Sequence, residues 1–220
     1  MSADAAIQIS LSRISHDLRG PLMPLRTAAW LLRQEPDASA RVHELADIVD
    51  RQSVRLTRMM DELSDWGRTT GDQIPLNRVP VEVGLTMDMA IGSLSGCHVE
   101  PVITEEAAVF PLHADPHRLG QVLRTLIEHA VHRDPDDQPE VALAVVAGNL
   151  QIQVRDHGDP LDPGARDALL TQPQASPFDD GLGLRLLLAR RIAEAHGGSL
   201  EIDASIPEGL TIICSLPPGI

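Results

Sequence analysis

The sequence predicts an α+β protein: an antiparallel helical hairpin followed by a two-layer α/β sandwich built on a mixed sheet. Three observations carry this. Apolar residues recur at steps of three and four from residue 7 to residue 66. The period is then lost across "GRTTGDQIPLNRVP" (67–80), which carries Gly and Pro. Beyond it, short alternating apolar runs are interleaved with amphipathic helical stretches, the pattern of strands with helices massed on a sheet.

In chain order, Ile7, Leu11, Ile14, Leu18, Leu22, Leu25, Ala29 and Leu32 form one narrow apolar seam. "EPDAS" (35–39) breaks it with turn-forming residues. Leu45, Ile48, Gln52, Leu56, Met59, Leu63 and Trp66 then trace a second seam. Two such helices make a hairpin that buries only one face, so the expectation is dimerisation into a four-helix bundle. This hairpin is assigned to residues 1–70, a linker to 71–80, and the sandwich to 81–220. Within the sandwich, "VEVGLTMDMAIGSL" reads as a helix, and "CHVEPVI" and "AAVFPLHAD" as short strands. "DPHRLGQVLRTLIEHAVHR" is a strongly amphipathic helix entered through Asp115 and Pro116. "EVALAVVAGNLQIQVRDHG" gives two strands around a Gly-Asn turn. "GLRLLLARRIAEAHGG" is a helix stopped at Gly197 and Gly198, and "SLEIDAS" and "LTIICSLP" are closing strands.

Composition narrows the functions. Hydrophobic residues make up 43% of the chain but aromatics only 2%, with no Tyr, so the core is aliphatic and base stacking on aromatic platforms is disfavoured. A net charge of −14 disfavours nucleic acid and anionic membranes as partners. All basic side chains are Arg, which excludes lysine chemistry such as Schiff bases or a P-loop contact. Cys97 and Cys214 are isolated and read as buried thiols of a reducing, cytoplasmic compartment. No apolar run approaches a membrane span, and the N-terminus lacks a signal-peptide layout.

The chemistry-bearing stretches come in a fixed order. "SHDLRGPL" (15–22) places His16 and Asp17 one turn before a Gly-Pro step, and Pro21 cannot donate to the Asp17 carbonyl, so a bend is expected there. "DRQSVRLTRMMDELSDWGRTTG" (50–71) follows, then "ADPHRLGQVLRTLIEHAVH" (114–132), "VRDHGDPLDP" (154–163), "DDGLGL" (179–184) and "RIAEAHGGSLEI" (191–202). In this order the six stretches resemble the H-box, second dimerisation helix, N-box, G1 box, G2 box and closing segment of the two-component sensor histidine kinase core. The resemblance runs from about residue 10 to 217 and implies a GHKL-type sandwich.

The resemblance implies that His16 is the phosphorylated residue. A neutral imidazole is a good nucleophile near pH 7, and an adjacent Asp17 can accept its other N–H as the ring nitrogen attacks. It also implies homodimerisation through the hairpin, a response-regulator receiver domain as partner, and ATP with Mg²⁺ in the sandwich. Helix position below His16 places the expected docking near Arg13, Arg19 and Leu22 or their neighbours. Asp156 of the G1 box would contact the adenine amino group, with Gly158 beside it, and Gly181 and Gly183 would let backbone N–H groups approach phosphates.

Several positions depart from the family pattern. Gly20 stands where a Thr or Asn often positions a water, which predicts weak phosphatase activity. His129 replaces the metal-binding Asn, Thr125 the polar residue one turn earlier, and His132 the usual Lys or Arg. An imidazole is a poor ligand for Mg²⁺. A soft-metal site on His129 and His132 lacks a third ligand, and no metal site is expected. Pro160 replaces the second G1 glycine, and Asp179 and Asp180 stand where a glycine and a small residue belong. Phe178 keeps its usual place in a short lid of about 164–180. The adenine end is retained and the triphosphate end altered. The expectation is therefore a phosphorelay protein that passes a phosphoryl group through His16 to or from a receiver aspartate, with its own ATP-dependent activity weak or lost. An active autophosphorylating kinase with divergent boxes is the alternative, and a non-catalytic inhibitory module the third.

Overall fold

The computed structural model describes residues 20, 22–36, 39–69, 74–94, 96–178, 181–205 and 208–219. They fall into two compact units. The first holds the helical residues up to 69 together with Gln174–Leu184; the second holds Ile74–Pro173 and Arg185 onward.

In the first unit, helix α1 is described over 22–34 and helix α2 spans Ala40–Thr69. Ser39 opens α2, its Oγ and carbonyl both accepting from the Val42 N–H. Arg33 pairs with Asp47 and Asp50, and Arg26 with Asp50, tying the helices on their polar side. The seam read from the sequence is only partly covered within one chain. Leu22 and Ala29 are buried, whereas Leu25, Leu32, Leu45, Ile48 and Leu56 are exposed. Ser53, Glu62 and Ser64 are the buried polar residues of α2.

The second unit is the expected two-layer sandwich. Its main sheet has strand order β2-β4-β5-β7-β6, from β2 (Val102–Ile103), β4 (Glu140–Val146), β5 (Asn149–Asp156), β6 (Ser199–Asp203) and β7 (Leu210–Leu216). Only β2–β4 is parallel, so the sheet is mixed as read. Helices α3 (Val83–Gly92), α5 (Pro116–Arg133) and α7 (Arg185–Ala195) pack with α5 in the middle, over β5 and β6. The core is aliphatic: Met87, Leu126, Ile127, Leu143, Ile152 and Ile192 are sealed from solvent. Cys97 and Cys214 are both buried thiols, and burial pushes Cys214 up to about 12. Among the described residues no helix is long and apolar enough to cross a membrane.

Residues 79 and 80, placed in the linker by sequence, pair with a distant strand instead. β1 (Val79–Val81) forms a two-stranded sheet with β3 (Leu112–Ala114), with Val79 opposite Ala114. Two short helices also lie where strands and lid were expected, α4 (Glu105–Ala108) and α6 (Pro163–Leu169). Each has a side-chain cap: Thr104 accepts from the Ala107 N–H and Asp162 from the Ala165 N–H. The β4–β5 turn is Ala147-Gly148 rather than Gly-Asn, both at positive φ (50° and 80°), the requirement of a tight two-residue hairpin.

The entry to α5 is held from three sides. Asp115 Oδ1 accepts from the N–H of His117 and of Arg118, and Oδ2 accepts from Asn77 N–H at 3.0 Å. Burial pushes the Asp115 carboxyl up, but these donors and the Arg118 charge outweigh it and hold the group below its usual range. The Asp115 N–H itself donates to His196 Nε2 at 3.0 Å, while His196 Nδ1 lies 2.7 Å from the Ile192 carbonyl. His196 therefore sits as the neutral Nδ1–H tautomer, bridging the end of α7 to the start of α5. The "HGG" stretch, read as a helix stop, also carries this bridge, and Gly197 does end the helix at φ 85°.

Candidate functional site

His16 and Asp17 lie outside the described residues, as do Pro21, Asp179 and Asp180. Gly20 is described: it is helical and exposed, with open space where a side chain would project. The remaining predicted residues divide between the units, with Gly181 and Gly183 in the first and His129, Asp156 and Gly158 in the second.

In the second unit, α5 presents Thr125 and His129 one turn apart, and both are buried. His129 is 4% exposed, and its pKa falls from 6.5 to about 3. Burial strips water from the charged form, and the nearby Arg133 and His132 charges disfavour it further. The imidazole is thus neutral throughout the physiological range. His132 is exposed, so the two histidines differ in environment. Arg185, first residue of α7, pairs with Glu128 and reaches Thr125 Oγ1 at 3.5 Å.

Asp156 closes β5 and is almost wholly buried. Its Oδ2 accepts from Arg133 Nε at 2.9 Å and its Oδ1 from Gly158 N–H at 3.0 Å. Arg133 also donates to the Asp159 carbonyl. The carboxylate expected to read adenine therefore carries an ion pair from this chain's own α5. Gly158 is a required glycine, because a Cβ there would lie 2.6 Å from the Arg133 carbonyl oxygen. Sequence reading missed Arg133; its position as the last residue of α5, just after the N-box, was the available signal.

A Mg²⁺ ion requires several oxygen ligands in near-octahedral array. The N-box offers it a buried neutral imidazole, a threonine hydroxyl already shared with Arg185, and a Glu128 carboxylate paired to the same arginine. These residues do not fit that ion. Among the described residues, Asp134, Asp137 and His157 bring ligating atoms close together, but at the surface. There His157 lies 3.5 Å from Asp137 and 3.3 Å from Glu140.

In the first unit, the Gly181–Leu184 stretch is a tightly fixed loop. Gly183 has φ 75°, and a Cβ on it would collide with the Gln174 backbone. The Gln174 N–H donates to the Gly183 carbonyl at 3.0 Å. On the other side, Glu62 of α2 accepts from the backbone N–H of Leu182 and of Leu184, the latter at 3.0 Å. Glu62 is only 5% exposed and was not singled out from sequence.

Two family models match the chain. Residues 8–71 match the His Kinase A (phospho-acceptor) domain, and residues 114–220 match the histidine kinase-, DNA gyrase B-, and HSP90-like ATPase. The chain is a two-component histidine kinase core. Among curated relatives, the sensor histidine kinase ZraS of Klebsiella oxytoca is 27% identical over 210 residues, covering 93% of this chain and 44% of that protein. The sensor protein KdpD of Rathayibacter rathayi is 28% identical over 212 residues, covering 94% of this chain and 25% of that protein. The chain thus spans less than half the length of these relatives. Among solved structures, full-length ShkA in complex with AMPPNP gives a TM-score of 0.77 at 21% identity, over 94% of this chain and 45% of ShkA. The histidine kinase AdeS of Acinetobacter baumannii gives 0.60 at 18%, over 91% of this chain and 98% of the other. These structures share the fold of this histidine kinase core, an α+β arrangement of helical region and GHKL-type sheet domain.

Proposed function

We propose that this histidine kinase core works chiefly as a phosphorelay protein: His16 takes a phosphoryl group from one receiver-domain aspartate and passes it to another. The observation that carries the reading is His129, a buried imidazole kept neutral where the family places a metal-binding amide. With Mg²⁺ poorly served there, transfer from ATP is weakened, while the His-Asp pair of "SHDLRGPL" needs no nucleotide for exchange with a receiver. In the first transfer the P–O bond to the donor aspartate breaks as the P–N bond to His16 forms. The aspartyl carboxylate leaves, and Asp17 accepts the hydrogen bond of the other ring N–H. In the onward transfer the P–N bond to His16 breaks as a P–O bond to the acceptor aspartate forms. Gly20, exposed and without a side chain, offers nothing to orient a hydrolytic water, consistent with a relay that conserves its phosphoryl group.

A second reading has its own support. Gly158 and Gly183 keep backbone approaches that no other residue fits, and Asp156 keeps its place in the G1 box. On that reading the chain binds ATP and phosphorylates His16 itself. In either case the hairpin supplies a homodimer contact, supported by the exposed Leu45, Ile48 and Leu56 at helical spacing.

The test is to incubate the chain with labelled ATP and Mg²⁺, and separately with a labelled phosphorylated receiver domain. The relay reading expects label on His16 from the receiver, lost in His16→Ala, and little or none from ATP. Efficient labelling from ATP overturns it in favour of the autokinase. Absence of label from both, with tight receiver binding, leaves an inhibitory module.

A further inference from the structure

We propose that Glu62 is an autoinhibitory anion: its carboxylate occupies the backbone N–H groups of Leu182 and Leu184 that would otherwise receive nucleotide phosphate. The inference rests on the reading of the Gly181–Leu184 loop as the G2 box of a histidine kinase core. It adds a regulator of that loop, contributed by the helix that follows the phosphoacceptor helix.

The geometry is specific. Both Glu62 oxygens lie 3.2 Å from the Leu182 N–H donor, and Oε2 also accepts from Leu184 N–H at 3.0 Å. A carboxylate on converging backbone N–H groups is the arrangement by which proteins hold a phosphate, with a side chain in the anion's place. Buried carboxylates are costly unless several donors satisfy them, so the contact accounts for an acid that is 95% removed from solvent. The loop cannot yield easily, because Gly183 is wedged against Gln174 and hydrogen-bonded to it.

Occupancy is exclusive for two reasons. Each N–H has one proton to donate, and a phosphate brought beside the carboxylate would meet a like charge at close range. A triphosphate therefore binds only to the fraction of molecules in which Glu62 has left, and its apparent affinity falls by that fraction. The base and ribose make no use of these N–H groups, so adenosine escapes the competition. The sequence alone hides this: Glu62 is one acid among 32 Asp and Glu, 120 residues before its partner.

The test uses the full chain with Glu62→Gln, which keeps size and a carbonyl acceptor, and Glu62→Ala, which removes both. Binding of Mg-ATP and of adenosine is measured by calorimetry, and exchange of the Leu182 and Leu184 amide protons by NMR without nucleotide. We expect Mg-ATP to bind about tenfold tighter in Glu62→Ala, where hydrogen bonds to a charged group are released. It binds tighter by a smaller factor in Glu62→Gln, which loses the charge but keeps an acceptor. Adenosine affinity stays at the wild-type value, and both amides exchange faster. Unchanged amide exchange in Glu62→Ala overturns the contact. Faster exchange with unchanged Mg-ATP affinity overturns the competition, as does equal tightening for adenosine or a lack of Mg-ATP binding in all three proteins. Transfer from a phosphorylated receiver to His16, followed on the same samples, reports separately on the relay.

Discussion

In the sheet unit, Leu126 and Ile127 on α5 are wholly sealed from solvent, whereas Leu45 and Ile48 on α2 stand 48% and 39% exposed. Both helices are amphipathic, and both carry aliphatic residues at helical spacing. The difference lies in what covers them. α5 is flanked by α3 and α7 and lies on the sheet, so its apolar stripe is closed by its own chain. Along Leu45 and Ile48, α2 is paired among the described residues with α1, and a two-helix hairpin has one face too many. The sheet unit carries its own core, whereas the hairpin leaves apolar residues uncovered among the described residues.

The sharpest way to break this comparison is Ile48→Asp. A charge on an apolar interface leaves an unpaired, desolvated carboxylate, so the proposed dimer is expected to dissociate fully. Light scattering should then report the 23.8 kDa monomer. Val109→Asp, on an even more exposed apolar residue of the sheet unit, should leave the mass unchanged. If both variants behave alike, exposure in this chain does not mark an interface.

A smaller effect probes the closed side. Arg133→Leu removes the partner of the buried Asp156 and leaves its charge uncompensated. Breaking such a pair costs about 3 kcal/mol. Chemical denaturation of the sheet unit should show this loss, and Asp156→Asn in the same background should recover much of it. A loss below about 1 kcal/mol would class the pair with exposed surface bridges.

The most gradual effect, spread over several pH units, is in pH. His129 has a folded pKa of about 3 against an ordinary 6.5, so the unfolded chain binds one more proton between these values. The stability this group contributes is complete above about pH 6.5 and is lost as pH falls towards 3. The slope is about 1.4 kcal/mol per pH unit for one proton. His196, also held below its usual value by burial, against the opposing hydrogen bond to Ile192, adds in the same direction. His129→Asn should flatten the acid side of the stability curve by one proton's worth. An unaltered slope would mean that His129 is not the neutral group described.

Much of this was legible in advance because it depends on neighbours in sequence. The amphipathic stripe of α5, its Asp115-Pro116 entry and the Gly197 stop are local signals, and the structure contains all three. The same Asp-Pro signature at Asp162-Pro163 went unread because α6 is only seven residues long and buries none of them. α4 is shorter still, and the β4–β5 turn shifted by one residue because Ala147 adopts a positive φ that its side chain does not advertise.

The amino-acid sequence by itself determined the order of helical hairpin and sandwich, the aliphatic core and the run of family motifs, since periodicity, turn chemistry and spacing are written within a few residues. Only the tertiary structure decided what the charged groups do. Arg133 meets Asp156 across 23 residues and Glu62 meets Leu182 across 120, while His129 is held neutral by the packing around it. A buried charge must find its partner wherever the fold brings one, and that distance in space has no counterpart in the distance along the chain.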